Sequence, residues 1–239
     1  MGSFLAKVPK KWLILPLLAV AILTAVAVVT TPDDNLHISF LDVGQGDAIL
    51  IQKGNQQVLV DGGPSPQAIT LELSSKMPFW DRSIDLVILT HPHSDHITGL
   101  VEVLSKYQVE QVLHPDLDSD SPIYDEWLRL IEEKDIESTI ACAGQQIDLG
   151  GVVIDVLNPQ KNLFTGTESD IDNNGVVLHV SIGEISFLLT ADLMWQAEFE
   201  LISQRLVPQS TVLKVGHHGS ATSTTPVFLA VVSPQLAVI

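Results

Sequence analysis

Six residues constrain this chain more than any others: His91-Pro92-His93-Ser94-Asp95-His96, which follow directly on the apolar run DLVILT at 85–90. The run reads as a buried strand that Pro92 helps to stop. Three imidazoles and a carboxylate are thereby delivered from a turn at a strand's carboxyl end, where open α/β architectures place ligands. Imidazole and carboxylate suit zinc and its first-row neighbours. A polar turn that merely happens to be His-rich is the bland alternative. With 8 His among 239 residues, the spacing arises by chance roughly once in a thousand such chains.

The rest of the chain repeats the theme. Strands are expected at 36–41, 48–52, 57–60, 85–90, 111–113, 138–141, 146–149, 152–157, 175–182, 184–189, 211–215 and from 236. Helices are expected at 67–76, 97–107, 122–134, 194–203 and 225–232, and a long polar loop without an element of its own at 161–174. Alternating strands and helices in both halves argue a layered α/β domain. Two further strand exits carry ligand-type residues: Asp192 after the strand ending at Leu189, and His217-His218 after the strand at 211–215.

Composition narrows the partners. The net charge is −17, and from residue 32 onward nine basic residues face 29 acidic ones. Such a body lacks a strong basic surface for nucleic acid. The single cysteine, Cys142, excludes an internal disulfide framework and a multi-cysteine zinc site. At the N-terminus a short basic flank, 1–11, precedes twenty uncharged residues, Trp12 to Thr31. That length predicts a transmembrane anchor, with the body outside the cytoplasm by the positive-inside tendency. A cleaved signal peptide, leaving a secreted body, is the rival.

The stretches FLDVGQGDA (40–48), VDGG (60–63), ILTHPHSDHITGL (88–100), DNNGVVL (172–178), LLTAD (188–192) and LKVGHHGSATS (213–223) together resemble the metallo-β-lactamase superfamily. Within it they are similar to the branch containing the C-terminal domain of the ComEC/Rec2 competence proteins and the phosphorylcholine esterases. The resemblance implies an αββα sandwich over 36–239 with two divalent metal ions at the edge between its sheets, zinc by default, manganese or iron as alternatives. It implies that His91 and His93 hold the first ion, Asp95 and His96 the second, and that Asp192 bridges. One of His217 and His218 completes the set, with His218 favoured as ligand. Asp61 is implied as a carboxylate that orients ligands from behind. Asp95, His217 and Lys214 are expected to take part in the chemistry. The branch continues beyond residue 239, so a final strand is expected to be missing.

The expected function is a membrane-anchored, outward-facing hydrolase using metal-activated water on phosphodiesters, either DNA or a phosphorylated envelope polymer. Hydrolysis of an amide or ester is the alternative enzyme. A non-catalytic metal-binding module is the alternative outside enzymology.

Overall fold

A computed structural model describes residues 10–29 and 33–239. The chain divides into two units, 1–33 and 34–239. In the first, helix α1 spans Lys10–Val29 with Pro16 inside it. Among the described residues no helix is long and apolar enough to cross a membrane. The expected single-pass anchor over 12–31 and the outward-facing placement of the body are therefore withdrawn. Most of the basic flank, 1–9, lies outside the described residues.

The second unit holds two six-stranded sheets. The first runs in sequence order: β1 (Leu36–Phe40), β2 (Ile49–Lys53), β3 (Gln56–Val60), β4 (Ser83–Ile88), β5 (Gln108–His114) and β6 (Glu137–Ile140). β1 to β3 form an antiparallel meander, and β3 to β6 are parallel. Helices α2 (Pro66–Lys76), α3 (Ser94–Lys106) and α4 (Pro122–Glu133) make the parallel crossovers. The second sheet comprises β7 (Gln146–Leu149), β8 (Val152–Asn158), β9 (Val177–Ile182), β10 (Ile185–Leu189), β11 (Val212–Lys214) and β12 (Leu236–Val238). β7 to β10 are antiparallel and β10 to β12 parallel, with α6 (Trp195–Ser203) and α7 (Pro226–Val232) as crossovers.

The period of two in the strands explains the layering. Ile49, Ile51, Val58 and Val60 pack against Val152, Ile154, Leu178 and Val180, so these faces of the two sheets share one core. The intervening Leu50 and Leu59 point the other way, onto Ile69 of α2, Leu100 of α3 and Trp127 of α4. On the far side Leu188 and Leu213 meet Ala197 and Leu201 of α6 and Phe228 of α7. The order is helix, sheet, sheet, helix, with both sheets covered on their outer faces.

Two local features depart from expectation. The His-rich segment is not all turn: α3 begins at Ser94, so Asp95 and His96 lie in its first helical turn. His93 is extended (φ −77°, ψ 148°) and caps the helix, and an acidic residue in a first turn favours the positive end of the helix dipole. The polar loop 161–174 contains a short helix, α5 (Asp170–Asn173), whose Ser169 side chain accepts from the Asp172 backbone N–H.

Candidate metal centre

Carboxyl ends of parallel strands from both sheets converge on one edge. β3 delivers Asp61, β4 delivers His91 and the start of α3, β10 delivers Asp192, and β11 delivers the 3-10 turn Gly216–Gly219 with His217 and His218. Cross-ties hold the ends in register. The Val176 N–H donates to Thr90 O at 2.9 Å, the His217 N–H to Ala191 O at 3.0 Å, and the Thr190 hydroxyl to Lys214 O at 2.7 Å.

Among the described residues three groups of donor atoms result; one, Asp47, Asp61 and His96, shares His96 with a larger group and lies behind it, and the other two face each other. His91, His93 and Asp172 form one, with Asp172 Oδ1 lying 3.6 Å from His91 Nε2 and 3.1 Å from His93 Nδ1. Asp95, His96, Asp192 and His218 form the other. His218 Nε2 is 3.3 Å from Asp95 Oδ2 and 3.4 Å from Asp192 Oδ1, while His96 Nε2 is 3.4 Å from Asp192 Oδ2. Asp192 Oδ2 also lies 3.8 Å from His91 Nε2, so Asp192 stands between the groups.

These spacings fit metal ions. Tetrahedral ligands each about 2.1 Å from a shared ion lie about 3.4 Å apart. More telling, His91 Nε2, His96 Nε2, His218 Nε2, Asp172 Oδ1 and Asp192 Oδ1 are all buried and make no hydrogen bond. Buried polar atoms without partners are rare and costly. Five of them shared between the two adjoining donor groups fit a site shaped for cations.

A family model described as the metallo-beta-lactamase superfamily matches residues 41–239. The chain belongs to this superfamily. Recombination protein 2 of Haemophilus influenzae is 32% identical over 206 residues, which cover 85% of this chain and 24% of that protein. Competence protein ComA of Neisseria gonorrhoeae is 31% identical over 212 residues, covering 87% of this chain and 27% of the relative. The chain thus spans about a quarter of the length of these curated relatives. A putative metal-dependent hydrolase from Parabacteroides distasonis shares the fold, with a TM-score of 0.53 at 11% identity over 84% of this chain and 80% of that one. Superfamily members are generally metal-dependent hydrolases, and the fold typically binds two divalent ions.

Within this superfamily fold, His96 and His91 are each held from behind by a specific partner. Asp61, fully buried, receives the Thr90 N–H at 2.8 Å and the Thr90 hydroxyl at 2.6 Å, and its Oδ2 meets His96 Nδ1 at 2.8 Å. The carboxylate therefore turns His96 Nε2 toward Asp192, which is how ligating imidazoles are oriented. His91 Nδ1 lies 3.0 Å from the Thr90 hydroxyl.

Charge is tightly coupled here. Burial drives His91 well below the ordinary imidazole range. Burial also works against charge on His96, yet Asp61 and Asp192 hold it up to about 10. Asp192, Asp47 and Asp95 push His218 up to about 11. Burial opposes ionisation of Asp192, but His218 and His96 bring its pKa far below the carboxylate range.

His217 differs from its neighbour. Its side chain is about one-third exposed, its Nδ1 lies 3.2 Å from the Thr222 hydroxyl, and its Nε2 is 3.8 Å from Asp192 Oδ2. It belongs to neither donor group. Lys214 is buried, with Nζ 2.5 Å from Asp47 Oδ2, and so is enclosed by a carboxylate. His179 sits in β9 opposite Asp155, with Nδ1 3.6 Å from Asp155 Oδ2.

Two residues stand in the site that sequence reasoning passed over, Asp172 and Asp47. Asp172 is placed by a network of amides. Asn158 donates to Asn173 O at 3.0 Å and Gly175 O at 2.8 Å, and Asn174 exchanges hydrogen bonds with the backbone of Phe164. The available signal was the run Asp172-Asn173-Asn174 in a loop too long to be a mere connector.

Proposed function

We propose that this chain is a binuclear metal-dependent hydrolase acting on phosphodiesters, with a DNA strand as its substrate. The observation that carries the binuclear part is the convergence of five unpartnered buried donor atoms from both sheets. The relatives named for recombination and competence support DNA.

Two divalent ions held here would polarise a substrate oxygen and make a water acidic near neutral pH. His91, His93 and Asp172 would hold one ion; Asp95, His96 and His218 the other; Asp192 would serve both. Zinc is the default for this donor set, with manganese and iron as alternatives. The chain's own contribution to proton movement is His217. It lies outside both donor groups with a side chain about one-third exposed, and its Nε2 can carry a proton to a leaving oxygen while Thr222 fixes Nδ1. Lys214 is shut away with Asp47, which supports His217 over Lys214 in this role. The acidic body gives little attraction for a polyanion, so substrate contact is concentrated at the ion-bearing edge.

The test joins metal content to turnover. Elemental analysis of the purified full chain should give about two ions per chain, and hydrolysis of a generic phosphodiester and of single-stranded DNA should vanish in chelator. Metal with turnover of an amide or ester but no phosphodiester would transfer the activity to that chemistry. Metal with no turnover would leave a binding module.

A further inference from the structure

The turn between β1 and β2, residues 41–48, is tied to the second donor group by contacts that an ordinary hairpin connection would not need. Asp47 lies at its end, buried, with one carboxylate oxygen 3.4 Å from His218 Nδ1 and the other 2.5 Å from Lys214 Nζ. Its backbone N–H donates to the carbonyl of Asp95 at 3.3 Å. Its neighbour Gly46 is at φ 143°, and a Cβ there would stand 2.2 Å from the same carbonyl. So one turn touches both Asp95 and His218, whose donor atoms are 3.3 Å apart.

The arrangement parallels Asp61 and His96. In both pairs a buried aspartate meets Nδ1 of an imidazole whose Nε2 faces Asp192. Lys214 adds what the Asp61 pair lacks. It occupies the second oxygen of Asp47 and lies 3.4 Å from Ala191 O, one residue before Asp192. An ammonium gripped between the carboxylate and the Asp192 strand exit fixes the angle at which Asp47 meets His218.

We infer that Asp47 is a positioning residue for the second ion: held by Lys214 and by the Gly46 close approach, it fixes the ring of His218 so that Nε2, and not Nδ1, faces Asp192 and Asp95. This rests on the binuclear reading above and assigns the 41–48 turn a task in it.

The test is a zinc titration of the full chain against a competing chelator, with the ring nitrogens of His218 followed by NMR. The unsubstituted chain should bind two zinc ions; if it binds none, the binuclear reading falls and this inference with it, before any variant is made. In Asp47→Ala the first ion should bind as before, while the second weakens about 10- to 100-fold. The His218 ring should lose the single tautomer with a protonated Nδ1. Asp47→Ala leaves Lys214 buried without a partner, so the double variant Asp47→Ala/Lys214→Met carries the decision, including where the single variant does not fold. The same selective weakening in the double variant upholds the inference. Recovery of the second site in the double variant would show that Asp47 only neutralises Lys214 and would overturn it. Equal loss of both ions, or no loss of either, overturns it as well.

Discussion

Replacing Gly99 by alanine tests whether the first turn of α3 is seated by backbone contact. In an exposed helix this change would stabilise by about 1 kcal/mol through helix propensity. Here the direction should reverse. A Cβ at Gly99 would stand 1.9 Å from the carbonyl oxygen of Gly62 and 2.6 Å from its carbon. Both are backbone atoms, so no side-chain rotation relieves the contact, and the helix must retreat by roughly 1.5 Å to reach ordinary separation. The retreat strains two hydrogen bonds, Gly62 N–H to His96 O and Gly99 N–H to Gly63 O, each 2.8 Å. Overpacking costs about 1–3 kcal/mol and each weakened hydrogen bond about 1 kcal/mol. Set against the propensity gain, the metal-free protein should lose about 2–4 kcal/mol, read as the shift in urea midpoint at constant m-value. Because Asp95 and His96 ride on the same helix, one turn before Gly99, zinc affinity should fall too. A variant as stable as the parent, with unchanged zinc affinity, would refute the claim that the Gly62–Gly99 contact sets the position of the donors.

Asp192→Ala removes the residue standing between the two donor groups, so it should abolish turnover and reduce bound metal below two ions per chain, as elemental analysis would report. Asp172→Ala should lower affinity for one ion at least tenfold and leave the other tightly bound, visible as two well-separated steps in calorimetry. For the chelated protein, pH dependence follows from the pairing. His96 and His218 have pKa values raised to about 10 and 11, so their contribution to stability is complete below the unfolded value of about 6.5 and is lost as pH rises toward 10. Asp192 is lowered, so its contribution is present above about pH 4 and lost as pH falls below that. The urea midpoint of the chelated protein should therefore decline between pH 6.5 and 10, and zinc should remove that decline by displacing the protons; a flat profile in the chelated protein argues against these pairings.

The parts of this molecule legible in its sequence are those encoded locally. An apolar run ending in His or Asp announces both a buried strand and the residue at its exit, which is why His91, Asp192 and the pair His217-His218 stand out from the sequence alone. Strand alternation such as Ile49-Leu50-Ile51 gives the two buried faces without reference to the partner sheet. What was hidden depends on contacts between distant segments. Asp172 looks like one polar loop residue among several until the side chain of Asn158 fixes the backbone around it. Lys214 read as a candidate acid because nothing near it in sequence shows that Asp47 encloses it. α3 begins at Ser94, three residues before the expected start at 97, because its first turn carries the polar residues Ser94, Asp95 and His96 and shows no apolar period. Pro92 falls before the cap, and Gly99 serves close packing inside the helix.

The donor atoms are split between the sheets. His91, His93, Asp95 and His96 come from the first, and Asp172, Asp192 and His218 from the second. Neither half alone brings Asp192 against an imidazole of α3. A partly folded chain, with one sheet formed and the other still loose, therefore holds an incomplete donor set. The seam between the sheets therefore works as an interlock: the full donor set exists only while both sheets are docked, and parting them takes it apart.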